Sequence, residues 1–161
     1  PEFERNAELA LAVGNPLVHL VMPLGGAPGT GVTGYGRHGE AGADGGAVVV
    51  ECGQHFSRSA ADLATDVTLR FLAHLGLVDA PAAAEAKAPA RRFRLLEVHM
   101  VKTESFAFAR PVLGFEVFQK GELIAVDDGH EIRSPCDDCT IFMPTRAALV
   151  GREGVYLTVA I

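Results

Sequence analysis

Among the side chains able to do chemistry, Glu51 stands out by position. It follows directly on Val48-Val49-Val50, and a carboxylate at the C-terminal end of a buried strand lies where the active-site crevices of α/β sheets open. Partial burial there would raise its pKa toward a value suited to proton transfer. The alternative is a strand-end acid that faces solvent or caps a neighbouring helix. His55, four residues on, could orient or shield a reacting water if the segment turns back, and Gln54 could donate to a substrate. Each is otherwise a loop residue with a satisfied hydrogen bond. Cys52 between Glu51 and Gly53 fits packing better than nucleophilic attack. Cys136-Asp137-Asp138-Cys139 has zinc-knuckle or redox spacing. Structural zinc needs four ligands, however, and two aspartates oppose thiolate formation, so the motif reads as a β-turn with the aspartates at its tip. Zinc shared between two copies, one cysteine pair each, is the remaining option.

These residues need elements to hold them. Residues 2–13 favour a helix ending at Gly14. Leu17, Val18, Leu20, Val21 and Met22 form a short apolar run stopped by Pro23, as expected of a buried strand. The stretch 25–46 carries ten glycines, more backbone freedom than packing needs, which points to a functional or disordered loop. No phosphate-cradling glycine motif occurs in it. Residues 47–50 predict a second strand. Ser57 or Ser59 is positioned to cap a helix, with Asp62 completing a capping box. Leu63, Val67, Phe71 and Leu75 recur every four residues as its apolar stripe, and Gly76 closes it. Helix, strand, glycine-rich loop, strand, helix is the order of an α/β architecture with a largely parallel sheet. Residues 79–90, DAPAAAEAKAPA, read as a linker. Beyond it, 92–101, 105–108, 112–118, 123–126, 141–143 and 155–161 predict short strands of a closed or sandwiched β unit.

Composition narrows the partners. The chain has 161 residues, 48% of them apolar and 21% charged, a core-forming balance. Fourteen basic against twenty acidic residues give −6, which lacks the positive field that gathers nucleic acid or anionic lipid. No apolar run approaches a bilayer span, and the acidic start is unlike a signal peptide. Three cysteines make no disulfide framework, so a reducing, cytoplasmic setting is expected.

The run Gly-Gly-Ala-Val-Val-Val-Glu-Cys-Gly-Gln-His-Phe at 45–56, followed by a helix, a linker and a small β domain, resembles the second half of a known family. This is the succinylglutamate desuccinylase and aspartoacylase family of zinc carboxypeptidase-like hydrolases. In that family a strand ends in a glutamate followed shortly by glycine, and the glutamate serves as general base and acid; Glu51 and Gly53 match. Residues 92–161 resemble the family's C-terminal domain, a barrel-sandwich hybrid in its bacterial members, particularly in Gly121-Glu122-Leu123 and Ser134-Pro135. The resemblance implies the C-terminal part of a catalytic α/β domain over 1–78, a linker over 79–91 and a β barrel-sandwich-like domain over 92–161. It also implies that Tyr35 and Arg37, just before the expected catalytic strand, contact substrate. A guanidinium binds a carboxylate in bidentate fashion and a phenol hydroxyl donates a hydrogen bond. Their alternative is a solvated loop.

The implied reaction is zinc-dependent hydrolysis of the amide bond of an N-acyl amino acid, with Glu51 taking the water proton and returning it to the departing amine. The family's zinc ligands are a His-x-x-Glu pair and a later histidine, upstream of the glutamate. None of the six histidines here, His19, His38, His55, His74, His99 and His130, is followed by Glu at the third position. The ligands are therefore expected upstream of residue 1, with the chain, which begins at Pro1 without an initiator methionine, as an inactive C-terminal fragment. Its exposed sheet edge would associate with the missing N-terminal half or with a second copy. The alternative is a non-catalytic binding or scaffold homologue that has lost the zinc site. The β region also resembles biotinyl and lipoyl carriers, but the matching hairpin around Asp137 and Asp138 has no lysine to modify.

Overall fold

The computed structural model describes residues 4–22, 31–79 and 89–161. They fall into two compact units, Pro1–Arg91 and Arg92–Ile161. The expected linker 79–91 lies largely outside the described residues.

In the first unit, helix α1 spans Glu4–Val13 and buries Asn6, Ala7 and Val13. The chain leaves it at Gly14, whose N–H bonds to the Ala10 carbonyl at 3.0 Å. Strand β1 covers Val18–Val21. Short 3₁₀ turns follow at Val32–Gly34 and Gly36–His38. A Cβ at Gly39 would collide with the Gly34 carbonyl, so the tight approach of these two turns requires glycine there. Helix α2, Arg58–His74, packs against α1. Its stripe is as expected through Val67, which is buried, and the half-buried Leu63 and Phe71; Leu75 lies past the helix end and is exposed. The expected capping box does not form. Ser57 is the N-cap but makes no side-chain cap: its hydroxyl pairs with that of Ser59 at 2.6 Å, and Asp62 pairs with Arg58 instead. Asn15 and Arg70 both donate to Asp66 Oδ2 at 2.7 Å, tying the α1 exit to α2. These donors hold the Asp66 carboxyl below its usual range.

The expected strand at 47–50 is not there. These residues carry no regular secondary structure, and Val49 is exposed. A strand exists only by pairing with a neighbour, and here α1 takes the backbone groups first. The buried Asn6 side chain accepts the Ala47 N–H at 2.9 Å. Arg5 donates to the carbonyls of Gly45 (2.8 Å), His38 (3.0 Å) and Glu40 (2.8 Å). The expected parallel sheet is absent with it: among the described residues of this unit β1 is the one strand.

The second unit is built of antiparallel pairs. Its strands are β2 (Arg91–Met100, all but its first residue), β3 (Ala107–Phe108), β4 (Val117–Phe118), β5 (Leu123–Asp127), β6 (His130–Arg133), β7 (Cys139–Phe142) and β8 (Glu153–Ala160). They order as β2-β8-β7-β4 in one sheet and β3-β5-β6 in the other. One apolar core draws on both sheets: Phe118, Ile124, Ala125, Cys139, Ile141, Val155 and Leu157, with Val101 and Phe106 from the connection after β2. The strands anticipated from the sequence appear with shifted or shortened bounds. Strand β6 was not anticipated, because His-Glu-Ile-Arg offers one apolar side chain. Its signal is the turn before it. Asp127 pairs with His130 across Asp128 and Gly129, both at positive φ (54° and 74°), a two-residue hairpin of the kind Asp-Gly favours. The whole is a mixed α/β chain with two helices and two antiparallel sheets in its described residues. None of those helices is long and apolar enough to cross a membrane.

Candidate functional site

Glu51 lies on an irregular, solvent-facing segment that leads into α2. Its side chain is exposed, so the expected partly buried position at a strand end is not found, and Glu51 sits as the solvent-facing acid of the alternative reading. Gly53 turns the chain at φ 101°, and a Cβ there would meet nothing within 4 Å, so conformation and not space favours glycine. Gln54 then closes the turn, its side-chain Oε1 accepting the Phe56 N–H and its carbonyl the Ser57 N–H, both at 2.9 Å. Gln54 is thus occupied locally. His55 is exposed and Phe56 is 97% exposed. Half-buried Cys52 packs with its Sγ 3.8 Å from the Val50 carbonyl.

Tyr35 immediately precedes the second 3₁₀ turn and is 72% exposed. Arg37, within that turn, pairs with Asp44 at 2.6 Å, both side chains being largely in water. Arg5 anchors the same loop from below through the carbonyls named above. Each of Glu51, Tyr35 and Arg37 is exposed, and no hydrogen bond or ion pair among the described residues joins Glu51 to Tyr35 or Arg37. No group of three or more His, Cys, Asp or Glu among the described residues could hold a metal ion.

The most fully organised polar cluster is one that sequence reasoning passed over. Asp127, at the end of β5 and 1% exposed, receives four hydrogen bonds. His99 Nε2 (2.9 Å) and the Lys102 N–H (2.7 Å) reach Oδ2, and the Thr103 N–H (3.0 Å) and hydroxyl (2.8 Å) reach Oδ1. Burial pushes the carboxyl up, but the donors outweigh it and hold the group far below the usual carboxylate range. His99 stacks on Phe106 with ring centroids 5.7 Å apart. The Thr103 hydroxyl is shared with that of Ser105 at 2.7 Å, and Ser105 Oγ accepts the Asp128 N–H at 3.1 Å. The cluster therefore clamps the turn after β2 to the β5–β6 hairpin. A carboxylate whose lone pairs are filled by fixed donors has little basicity left for a substrate. The sequence signal for it was an acid closing the apolar run Leu123-Ile124-Ala125-Val126 just ahead of Asp128-Gly129.

No protein-family model and no curated protein matches this chain. Among solved structures it is similar to succinylglutamate desuccinylase from Vibrio cholerae, with a TM-score of 0.49 and 17% identity over 65% of this chain and 31% of that one. It is also similar to succinylglutamate desuccinylase from Vibrio parahaemolyticus, with a TM-score of 0.48 and 19% identity over 67% of this chain and 32% of that one. Both are desuccinylases. The chain thus spans about a third of the length of these structures.

Proposed function

We propose that this chain is part of a hydrolase that cleaves the amide bond of an N-acyl amino acid, with Glu51 as the proton acceptor for the attacking water and donor to the departing amine. What supports this reading is the match of Glu51 and Gly53 to the glutamate-glycine pattern of the resembled family. The Glu51 carboxylate stands open to water, not partly buried at a strand end as expected, so a water-excluding site around it has to be completed by other polypeptide or by substrate. Asp127, the other acid that closes an apolar run, is already saturated. Tyr35 and Arg37 supply recognition. An exposed ion pair such as Arg37–Asp44 is worth only about 0–1 kcal/mol, so a substrate carboxylate can displace Asp44 from the guanidinium.

The described residues do not fit zinc, since none of their acidic, histidine and cysteine side chains gather into a ligand group. No step is routed through the metal; if zinc serves this reaction, its ligands come from polypeptide upstream of Pro1, and the chain works with that N-terminal half or with a second copy, in the cytoplasm. The same finding favours a second interpretation, a binding or scaffold homologue without a metal site.

In the protein expressed from its natural reading frame, Glu51→Gln lowers the release of amino acid from N-succinyl and N-acetyl substrates by a factor on the order of 10²–10⁴, with bound zinc unchanged. Wild-type turnover in that variant removes Glu51 from the chemistry. Failure of the unaltered protein to release amino acid with zinc supplied supports the scaffold.

A further inference from the structure

The Cys136-Asp137-Asp138-Cys139 turn has no part in the proposed hydrolysis, and its geometry points elsewhere. Cys139 opens β7, opposite Phe118 of β4, and is fully buried; Cys136 is half-buried, on the approach to it. Asp138 adopts φ 54°, which turns the chain back between them. The turn is held from three directions. Asp137 Oδ1 accepts the Lys120 N–H at 3.1 Å, Asp138 Oδ1 accepts the Gln119 side-chain N–H at 3.0 Å, and the Ser134 hydroxyl donates to the Cys136 carbonyl at 2.7 Å. The two cysteines flank the two-residue turn Asp137-Asp138, which brings their backbones within the reach of a β-turn, and burial pushes the Cys139 thiol up. One cysteine is partly accessible and the other sheltered, at the two ends of one tight turn. A metal does not account for the pair, since no third ligand joins it among the described residues.

We propose that Cys136 and Cys139 are a two-electron redox site that closes to an intramolecular disulfide by exchange with a low-molecular-weight disulfide, independently of the hydrolytic function. The Cys136 thiolate attacks the small disulfide, forming a mixed disulfide and releasing one equivalent of small thiol. Cys139 then loses its proton to solvent and attacks Cys136 Sγ, expelling the second equivalent. The protein loses two hydrogens, the small disulfide gains them as two thiols, and no other oxidant is consumed. Burial of Cys139 opposes its deprotonation. Uncatalysed exchange of this kind takes minutes to hours.

The test is incubation of the intact chain with glutathione disulfide, alkylation of remaining thiols and mass analysis of the peptides. Residues 136 and 139 are expected to resist alkylation and to appear in one internally linked peptide about 2 Da lighter, restored by dithiothreitol. Cys52, in the other unit, is expected to remain alkylatable or to carry glutathione. Cys139→Ser is expected to stop at one glutathione on Cys136, and Cys136→Ser to leave Cys139 unmodified. If the Cys139 variant fails to fold, the wild-type peptide alone decides. A wild-type protein that stops at a glutathione adduct on Cys136, or that leaves both cysteines alkylatable while Cys52 reacts, overturns the proposal.

Discussion

Glu51 and Asp127 begin alike and end apart. Each is an acid directly after four apolar residues, 47–50 in one case and 123–126 in the other. Asp127 closes a strand that is paired on both sides, and the surrounding turn brings four donors to it. Glu51 closes a run whose backbone is taken by α1 instead of by a neighbouring strand, and it faces water. The difference lies in the ladder. Where the apolar run finds partners, the acid at its end is drawn into the fold and spends its lone pairs on structure. Where it does not, the acid stays available for a partner from outside.

The comparison can be broken most sharply by exchanging effects between the two acids. Glu51→Gln is expected to cut turnover by the factor given above while moving Tm by no more than about 1 °C, because an exposed side chain has little to lose. Asp127→Asn is expected to do the opposite. An amide N–H would oppose the donors from His99 and Lys102, and Tm should fall by roughly 5–10 °C. A calorimetric scan of both variants decides, and a shift in Glu51→Gln as large as that in Asp127→Asn would remove the distinction.

Acid supplies a second test. The folded Asp127 carboxyl titrates below its ordinary value of 3.8, so its contribution is fully present above the unfolded value and is lost as pH falls through the folded one. Wild-type Tm should therefore drop more steeply below about pH 4 than that of Asp127→Asn, measured by circular dichroism. Parallel curves would show that other carboxylates carry the acid sensitivity.

Two smaller effects probe the first unit. Asn6→Ala leaves the Ala47 N–H without its acceptor, a cost of about 1–3 kcal/mol, visible as a lower urea midpoint. Arg37→Ala removes an exposed pair and should change stability by less than about 1 kcal/mol, while raising KM for a dicarboxylic substrate. An unchanged KM separates Arg37 from recognition.

Much of the second unit was readable in advance, because β-branched and aromatic runs punctuated by glycine and proline state both strand and turn. Helix α2 was equally plain from Leu63, Val67 and Phe71. The strand at 47–50 was misjudged because apolar composition reports a wish to be buried and says nothing of who will pair with it; Asn6 and Arg5, some forty residues earlier, settled that. The Ser59 and Asp62 capping pattern was present in letters but lost to a nearer ion pair with Arg58. Asp127 was overlooked because its four donors come from 99–103, a convergence created by folding and invisible along the chain. Tyr35, Arg37 and Glu51 were legible by type, while the exposure of Glu51 was not, because it follows from the missing strand at 47–50.

The reach of Arg5 has a practical side. A single guanidinium near the start of the chain moors the carbonyls of 38, 40 and 45, so the loop that presents Arg37 loses three of its anchors if that one side chain is removed. Recombinant versions trimmed past residue 5 would present an altered loop to any ligand, and binding data gathered on them would describe a different surface.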